Sequence, residues 1–306
     1  MVLHPSSDST AVDSFVRLDG GDMHVVENGE PSAPSLLLLT NAAVPTAVWD
    51  PLVPMLARTY HVIRVDLLAR GKASSLAGGY DIATHARRVG TVLDRLGVQR
   101  VTVIGHSSGC TVATALAEQR PDLVAALALI DMGPNPDAKI PEPLVVRLLL
   151  TKFPGPLLWR LRTAATVRKA ARAGFTRPVE IPDAFIQHVM GITHRAFVGA
   201  MRAPLDYLGH RSLPDRLTPM GLPVLVLFGV DDQRWRSSSA AAYRVVPGAR
   251  VELLPGLGHT PMMEDPQTTG ELLLDFAAAV SSPTEINPSD RRSERAAHDS
   301  ISSPRR

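Results

Sequence analysis

Five residues, Gly105-His106-Ser107-Ser108-Gly109, follow the apolar, β-branched run Val101-Thr102-Val103-Ile104 and lead into an Ala-rich stretch, Thr111 to Arg120, that reads as a helix. The order is strand, sharp turn, helix. A serine at such a turn takes a strained backbone conformation, and glycines are needed where a Cβ would strike the neighbouring strand and helix. Ser107 then stands between the carboxyl end of a strand and the amino end of a helix, where free N–H groups favour a developing negative charge. An ordinary loop with Ser107 or Ser108 as N-cap satisfies the five-residue pattern alone. The choice falls to the rest of the chain.

A serine hydroxyl is a poor nucleophile until a base takes its proton, and the base must be oriented by a third group. Gly256-Leu257-Gly258-His259-Thr260-Pro261 follows a strand and precedes the last helix, so His259 sits on a glycine-freed loop and is the best base. His106 adjoins the serine, but neighbours on a tight turn diverge, which leaves it a structural role. For the acid, Phe228-Gly229-Val230-Asp231-Asp232 ends another strand ahead of His259, giving the chain order Ser, Asp, His. Two aspartates compete there, and a turn aspartate bonding local backbone is the plainer role for either.

These residues must be carried to one place by regular elements. Phe15 to Leu18 and Met23 to Val26 flank Asp19-Gly20-Gly21-Asp22 and predict a β-hairpin. Ser35 to Leu39, His61 to Asp66, Ala125 to Ile130, Val224 to Phe228 and Arg250 to Leu254 read as strands; Trp49 to Ala57 has helical spacing. Asp81 to Leu96 is a helix with Asp81 as cap and Gly97 as stop. Apolar strands alternating with helices predict an α/β fold: a mostly parallel twisted sheet with helices on both faces, and the hairpin as antiparallel strands at one edge. In such a sheet the ligand lies outside the carboxyl ends of the strands, where the loops after Leu39, Ile104, Phe228 and Leu254 converge.

At this point the chain resembles the α/β-hydrolase fold superfamily. The resemblance covers about Phe15 to Val280 and rests on the hairpin, Asp66 to Gly71, the serine turn, Gly229 to Asp232, and Gly258-His259 followed by Glu264-Asp265-Pro266. It implies that Ser107 attacks an acyl carbon, His259 shuttles the proton and water releases the acyl group, with no metal or organic cofactor. It selects Asp232 over Asp231 as the acid, with Asp131, where some relatives place it, as second choice. Relatives usually have His-Gly where this chain has Thr40-Asn41. The resemblance makes the N–H of Ala42 the oxyanion donor beside that of Ser108, with the Asn41 amide as a substitute. It implies a serine hydrolase acting on a small or medium acyl compound, a carboxylic ester by default. Carbon–carbon bond hydrolysis and cofactor-free perhydrolysis use the same triad. A hydrolase-fold ligand-binding protein is the non-enzymatic alternative. Leu67, Leu68, Trp159, Met262 and Met263 are pocket candidates for which core packing is the plainer role.

The expected division is a tail at 1–14, a core at 15–133 and 214–280, a helical cap at 134–213 and a disordered tail at 281–306 that is too poor in apolar residues to fold. The cap is expected because residues 132–222 hold no convincing strand but several helical stretches: Glu142 to Lys152, Leu157 to Ala173, Asp183 to Gly191. Gly209 to Pro219 marks the return to the core. Lys139 to Arg177 is markedly basic. A solvated outer face is the ordinary meaning of such a run, an anionic ligand or a membrane surface the sharper one. Over all 306 residues, 32 basic and 30 acidic side chains leave a formal net charge of +2, which exerts no overall pull toward nucleic acid or membrane. A lone cysteine, Cys110, fits a reducing compartment, and neither a signal peptide nor a bilayer-length apolar run is present. Together with the acyl chemistry that the resemblance implies, this makes the expected partner a small-molecule acyl substrate, met in the cytoplasm without membrane insertion.

Overall fold

The computed structural model describes residues 11–19, 21–67 and 79–281. The rest of the expected tails, Gly20 of the hairpin turn, and Leu68, Arg70 and Gly71 lie outside the described residues. Eight strands form one sheet: β1 (Val12–Leu18), β2 (Gly21–Asn28), β3 (Ser35–Leu39), β4 (His61–Val65), β5 (Val101–His106), β6 (Val124–Ile130), β7 (Val224–Gly229) and β8 (Arg250–Leu254). Their spatial order is β1-β2-β4-β3-β5-β6-β7-β8. The hairpin pairs antiparallel from Val12 against Glu27 to Leu18 against Gly21, β2 is antiparallel to β4, and all later pairs are parallel.

Alternation along each strand divides the core into two layers. Leu37 and Leu39 of β3, Leu127 and Leu129 of β6, and Val226 and Phe228 of β7 face one cluster, which includes Val89 and Val92 of α2 (Ile82–Arg95) and Val112 and Leu116 of α3 (Gly109–Gln119). Leu36, Leu38, Ala128, Ile130, Leu225 and Leu227 face the other, with Trp49, Leu52, Leu56 and, from the last helix (Pro266–Ser281), Leu273 and Phe276. Helices therefore cover both faces, as the sequence predicts. Asp81 caps α2 by accepting from the Thr84 N–H at 2.8 Å.

The differences from expectation have local causes. β1 starts at Val12, so residues 12–14, expected in the tail, extend the ladder; Asp13 there bonds His24. The last helix ends at Ser281, one residue into the expected tail. Trp49 to Ala57 is not one helix: a 3₁₀ turn at Thr46–Trp49 is followed by α1 (Val53–Leu56), because Pro51 and Pro54 lack the N–H a continuous helix needs.

Residues 132–222 contain no strand, only helices joined by turns and one isolated bridge between Lys139 and Trp235. Pro141 and Pro143 confine the first to α4 (Leu144–Leu149). The expected Leu157 to Ala173 helix is two, α5 (Gly155–Arg160) and α6 (Ala164–Arg172), since Thr163 and Thr166 form a reciprocal capping box that starts a new helix. After α7 (Asp183–Gly191) comes α8 (His194–His210), the longest helix of the chain among the described residues. Its interior Pro204 hid it from pattern reading. In the expected return segment Ser212 caps α9 (Leu213–Leu217). The chain closes with α10 (Pro261–Glu264) and α11 (Pro266–Ser281). No helix among the described residues is long and apolar enough to cross a membrane.

One ion cluster, buried at His24 and Asp66 and exposed at Asp13, ties the hairpin to the functional edge of the sheet. His24 Nδ1 lies 2.8 Å from Asp66 Oδ2 and His24 Nε2 2.8 Å from Asp13 Oδ1, while Asp66 Oδ1 accepts from the Thr46 N–H at 2.8 Å. The hydrogen bond to Asp66 raises the His24 pKa; burial opposes it, and the charges of Asp66 and Asp13 add to the rise. The folded chain thus holds this proton more tightly than the unfolded one. Its stabilisation is complete below the ordinary histidine value of about 6.5 and is lost as pH rises through the raised folded value. Urea unfolding of wild type and His24→Gln should therefore give midpoints that differ most in mild acid and converge in mild alkali. A gap that widens with pH would refute the assignment.

Candidate active site

The serine turn is built as its glycines require. Ser107 has φ +53°, a strained value for a residue with a Cβ. A Cβ at Gly105 would sit 2.7 Å from the Cys110 backbone, and one at Gly109 2.4 Å from the Leu39 carbonyl oxygen, so no larger residue fits at either position. The Ser107 N–H donates to the Ile130 carbonyl at 2.8 Å, fixing the turn to the end of β6.

Three loops from separate strands meet there. His259 Nε2 is 3.0 Å from Ser107 Oγ, and His259 Nδ1 is 2.9 Å from Asp232 Oδ2. All three residues are buried. Asp231, by contrast, is exposed and donates its N–H to the Leu257 carbonyl. Burial works against ionisation of Asp232, but the His259 charge and hydrogen bond, with the N–H groups of Arg234 and Trp235 on Oδ1, hold its carboxyl below the usual range.

Asp131, the second-choice acid, is fully buried at φ +50° and accepts the Gly229 N–H at 2.7 Å. Burial, and next the charge of Asp232, push its carboxyl well above the usual range. A protonated Asp131 beside an ionised Asp232 is the stable arrangement, since two adjacent buried carboxylates cannot both carry charge cheaply. Its bond goes to the β7 turn that presents Asp232, not to the imidazole.

His106 is held as a strap. Its Nδ1 is 3.1 Å from Thr40 Oγ1 and its Nε2 is 2.7 Å from the His259 carbonyl oxygen. Burial, then the neighbouring His259 charge, lower its pKa to about 3. The ring is neutral, so Nε2–H donates to the carbonyl and Nδ1 accepts from Thr40. Thr40 thus anchors the backbone of His259 through His106, a link across three strands that nothing in local sequence announces. In the same loop Asn41 Oδ1 accepts the Ala43 N–H and its carbonyl the Val44 N–H, both at 2.8 Å. This turn commits the Asn41 carbonyl groups to shaping the loop. Among the described residues, neither the Ala42 nor the Ser108 N–H donates within the protein.

Glu264, which the sequence marks only as part of the stretch after His259, is a second organiser. Oε2 accepts from the N–H groups of Gly258, Thr176 and Arg177, each at 3.0 Å, and Oε1 from Thr260 at 3.3 Å. One buried carboxylate therefore ties both sides of His259 to the segment between α6 and α7. Gly258 is glycine for the same reason: a Cβ would lie 2.6 Å from Thr176 Oγ1. Glu264→Ala leaves these donors without an acceptor and is expected to cost about 3 kcal/mol of stability, with a smaller loss for Glu264→Gln, which keeps one acceptor. Urea midpoints check this; an unshifted midpoint in the alanine variant would rule the hub out.

The pocket candidates are placed in packing. Trp159 is buried within the helical segment, donating to the Ile192 carbonyl at 2.9 Å and stacking on Phe197 with ring centroids 4.4 Å apart. Met262 is buried in the α1/α11 cluster, Met263 packs against it, and Leu67 belongs to the opposite cluster.

A mostly parallel eight-stranded sheet, with a strained serine turn after its central strand and a histidine after its last, defines an α/β-hydrolase. A family model described as the alpha/beta hydrolase family matches residues 42–271. The chain belongs to that family and is a hydrolase. It is 28% identical over 266 residues to a putative carbamate hydrolase, RutD, of Stutzerimonas stutzeri, covering 84% of this chain and 97% of the relative. The RutD of Variovorax paradoxus is 29% identical over 271 residues, covering 85% and 98%. Among solved structures, a membrane phospholipase A described as a bacterial virulence factor superposes with a TM-score of 0.70 at 26% identity, over 89% of this chain and 87% of that one.

Proposed function

We propose that the protein is a serine hydrolase that cleaves a small or medium carboxylic ester through an acyl-enzyme intermediate. The observation that carries this reading is the continuous path from Ser107 Oγ through His259 to Asp232, at 3.0 and 2.9 Å. As the Ser107 oxygen bonds the acyl carbon, its proton passes to His259 Nε2 and the carbonyl electron pair moves onto oxygen, facing the N–H groups of Ala42 and Ser108. Collapse breaks the bond to the alkoxide, which leaves with the His259 proton. Water then gives its proton to His259 and attacks the acyl-enzyme, releasing the acid and restoring the serine. Asp232 keeps Nδ1 protonated and stabilises the imidazolium. A carbamate, the substrate class in the names of two relatives, presents the same acyl carbon and enters the same path.

The helices between β6 and β7 act as a cap over the loop edge of the sheet, a reading supported by the Glu264 ties to Thr176 and Arg177. The work site is the cytoplasm, in keeping with a single buried, unpaired Cys110. A fluorophosphonate probe, followed by p-nitrophenyl esters of graded acyl length and an aryl carbamate, tests the proposal. The expected result is labelling at Ser107 and turnover of one or more of these substrates. Absence of Ser107 labelling in folded protein would overturn it.

A further inference from the structure

Large apolar side chains left exposed are ordinary when scattered and informative when gathered. Six gather here within eighteen residues: Leu144, Val145, Leu148, Phe153, Leu157 and Leu161. Phe153 is 82% exposed, Leu144 68% and Leu161 67%. On α4, which contributes no residue to the buried core, Leu144, Val145 and Leu148 lie on one side of the helix. Leu157 and Leu161 are likewise one turn apart at α5, and α4 packs against α5. Five of these residues fall in the helical stretches expected from their spacing, with Phe153 between the two, and the fold leaves all six facing outward.

The same surface is strongly cationic. Between Glu142 and Glu180 there is no acidic residue and there are eight Lys or Arg. Three of these are engaged: Arg162 over the Trp159 ring, Arg168 with Asp183, and Arg177 with Asp265. Arg147, Lys152, Arg160, Lys169 and Arg172 are exposed. Arg147 flanks the α4 stripe, Lys152 adjoins Phe153, and Arg160 flanks the Leu157–Leu161 pair, so charge borders the apolar residues along the whole patch.

We propose that this α4–α5 face seats the protein on the surface of an anionic phospholipid bilayer. Apolar side chains bordered by Lys and Arg match the boundary between acyl chains and phosphate headgroups, where each type meets its own kind of neighbour. A second copy of the chain is a poor occupant, because a two-fold contact would set this cationic face against itself. Five of the six apolar residues are Leu or Val, and the single aromatic, Phe153, does not make the run of stacking platforms that binds successive nucleic-acid bases. The association is peripheral, by side chains of two six-residue helices and of the residues that join and follow them. It does not depend on the ester-hydrolase reading, since binding is read without turnover.

The test is flotation of the full chain with vesicles of phosphatidylcholine alone and of phosphatidylcholine with phosphatidylglycerol. The chain is expected to float with the mixed vesicles, much less with the neutral ones, and less as salt rises. Two variants separate the components: Arg147→Glu with Lys152→Glu and Arg160→Glu, and Phe153→Ser with Leu157→Ser. Each should weaken flotation at least about tenfold with an unchanged melting temperature, while Arg100→Glu, an exposed charge elsewhere, leaves it intact. The proposal fails if the wild type floats with neither vesicle or if both variants float like wild type. It also fails if sedimentation shows a dimer that Phe153→Ser with Leu157→Ser dissociates, which would make a second copy the occupant.

Discussion

Ser107→Ala is expected to lower turnover of an activated ester by about 10⁶-fold and to abolish fluorophosphonate labelling, with a melting temperature close to that of wild type. The hydroxyl is small, and its removal leaves the turn held by the Ser107 N–H bond to Ile130 and by the tight backbone contacts of Gly105 and Gly109. His259→Ala should cost a similar factor, because an unactivated serine hydroxyl is hardly better than none. The double variant should be no worse than either single one, since the two act as a unit. Steady-state kinetics and intact-mass labelling check each step. Retention of a large part of the activity in either variant, or additive losses in the double one, would show that the reaction runs elsewhere.

The two buried aspartates should respond in opposite ways to the same substitution. Asp232→Asn keeps the shape but turns the His259 tautomer the wrong way and removes the charge that stabilises imidazolium, a change expected to cost about 10⁴-fold in kcat. Asp131→Asn replaces a carboxyl whose protonated form is already favoured by burial and by Asp232. Asparagine can still accept the Gly229 N–H and tolerates the positive φ found there. Activity should stay within a few-fold of wild type. Equal losses at the two positions would mean that the carboxylates share the orienting role. The reverse order would move the acid to the end of β6.

Local rules make much of this protein legible in its sequence. The two-sided apolar runs of β3, β6 and β7 announce a sheet covered on both faces, and their residues divide between the two core clusters with the period of two that a strand imposes. Asp81 and Gly97 bracket α2 because a cap and a stop are properties of adjacent residues. The glycines around Ser107 reveal the turn because only glycine fits those contacts. Where local signals conflicted, reading failed: prolines at 51, 54 and 204 and the Thr163 box shifted helices by reasons a hydrophobic period does not register.

What remained for the tertiary structure was every relation between distant residues. Local chemistry alone does not separate Asp231 from Asp232, which only the family resemblance ranked; the turn after β7, seated on Asp131 and beside β8, buries one against His259 and leaves its neighbour in solvent. The Thr40–His106–His259 strap and the Glu264 hub join positions 66, 153 and up to 88 residues apart, so no window of sequence contains them. The outward stripe on α4 and α5 was equally hidden, because a helical period predicts which residues share a face and the packing of the helix decides whether that face meets the core or the solvent.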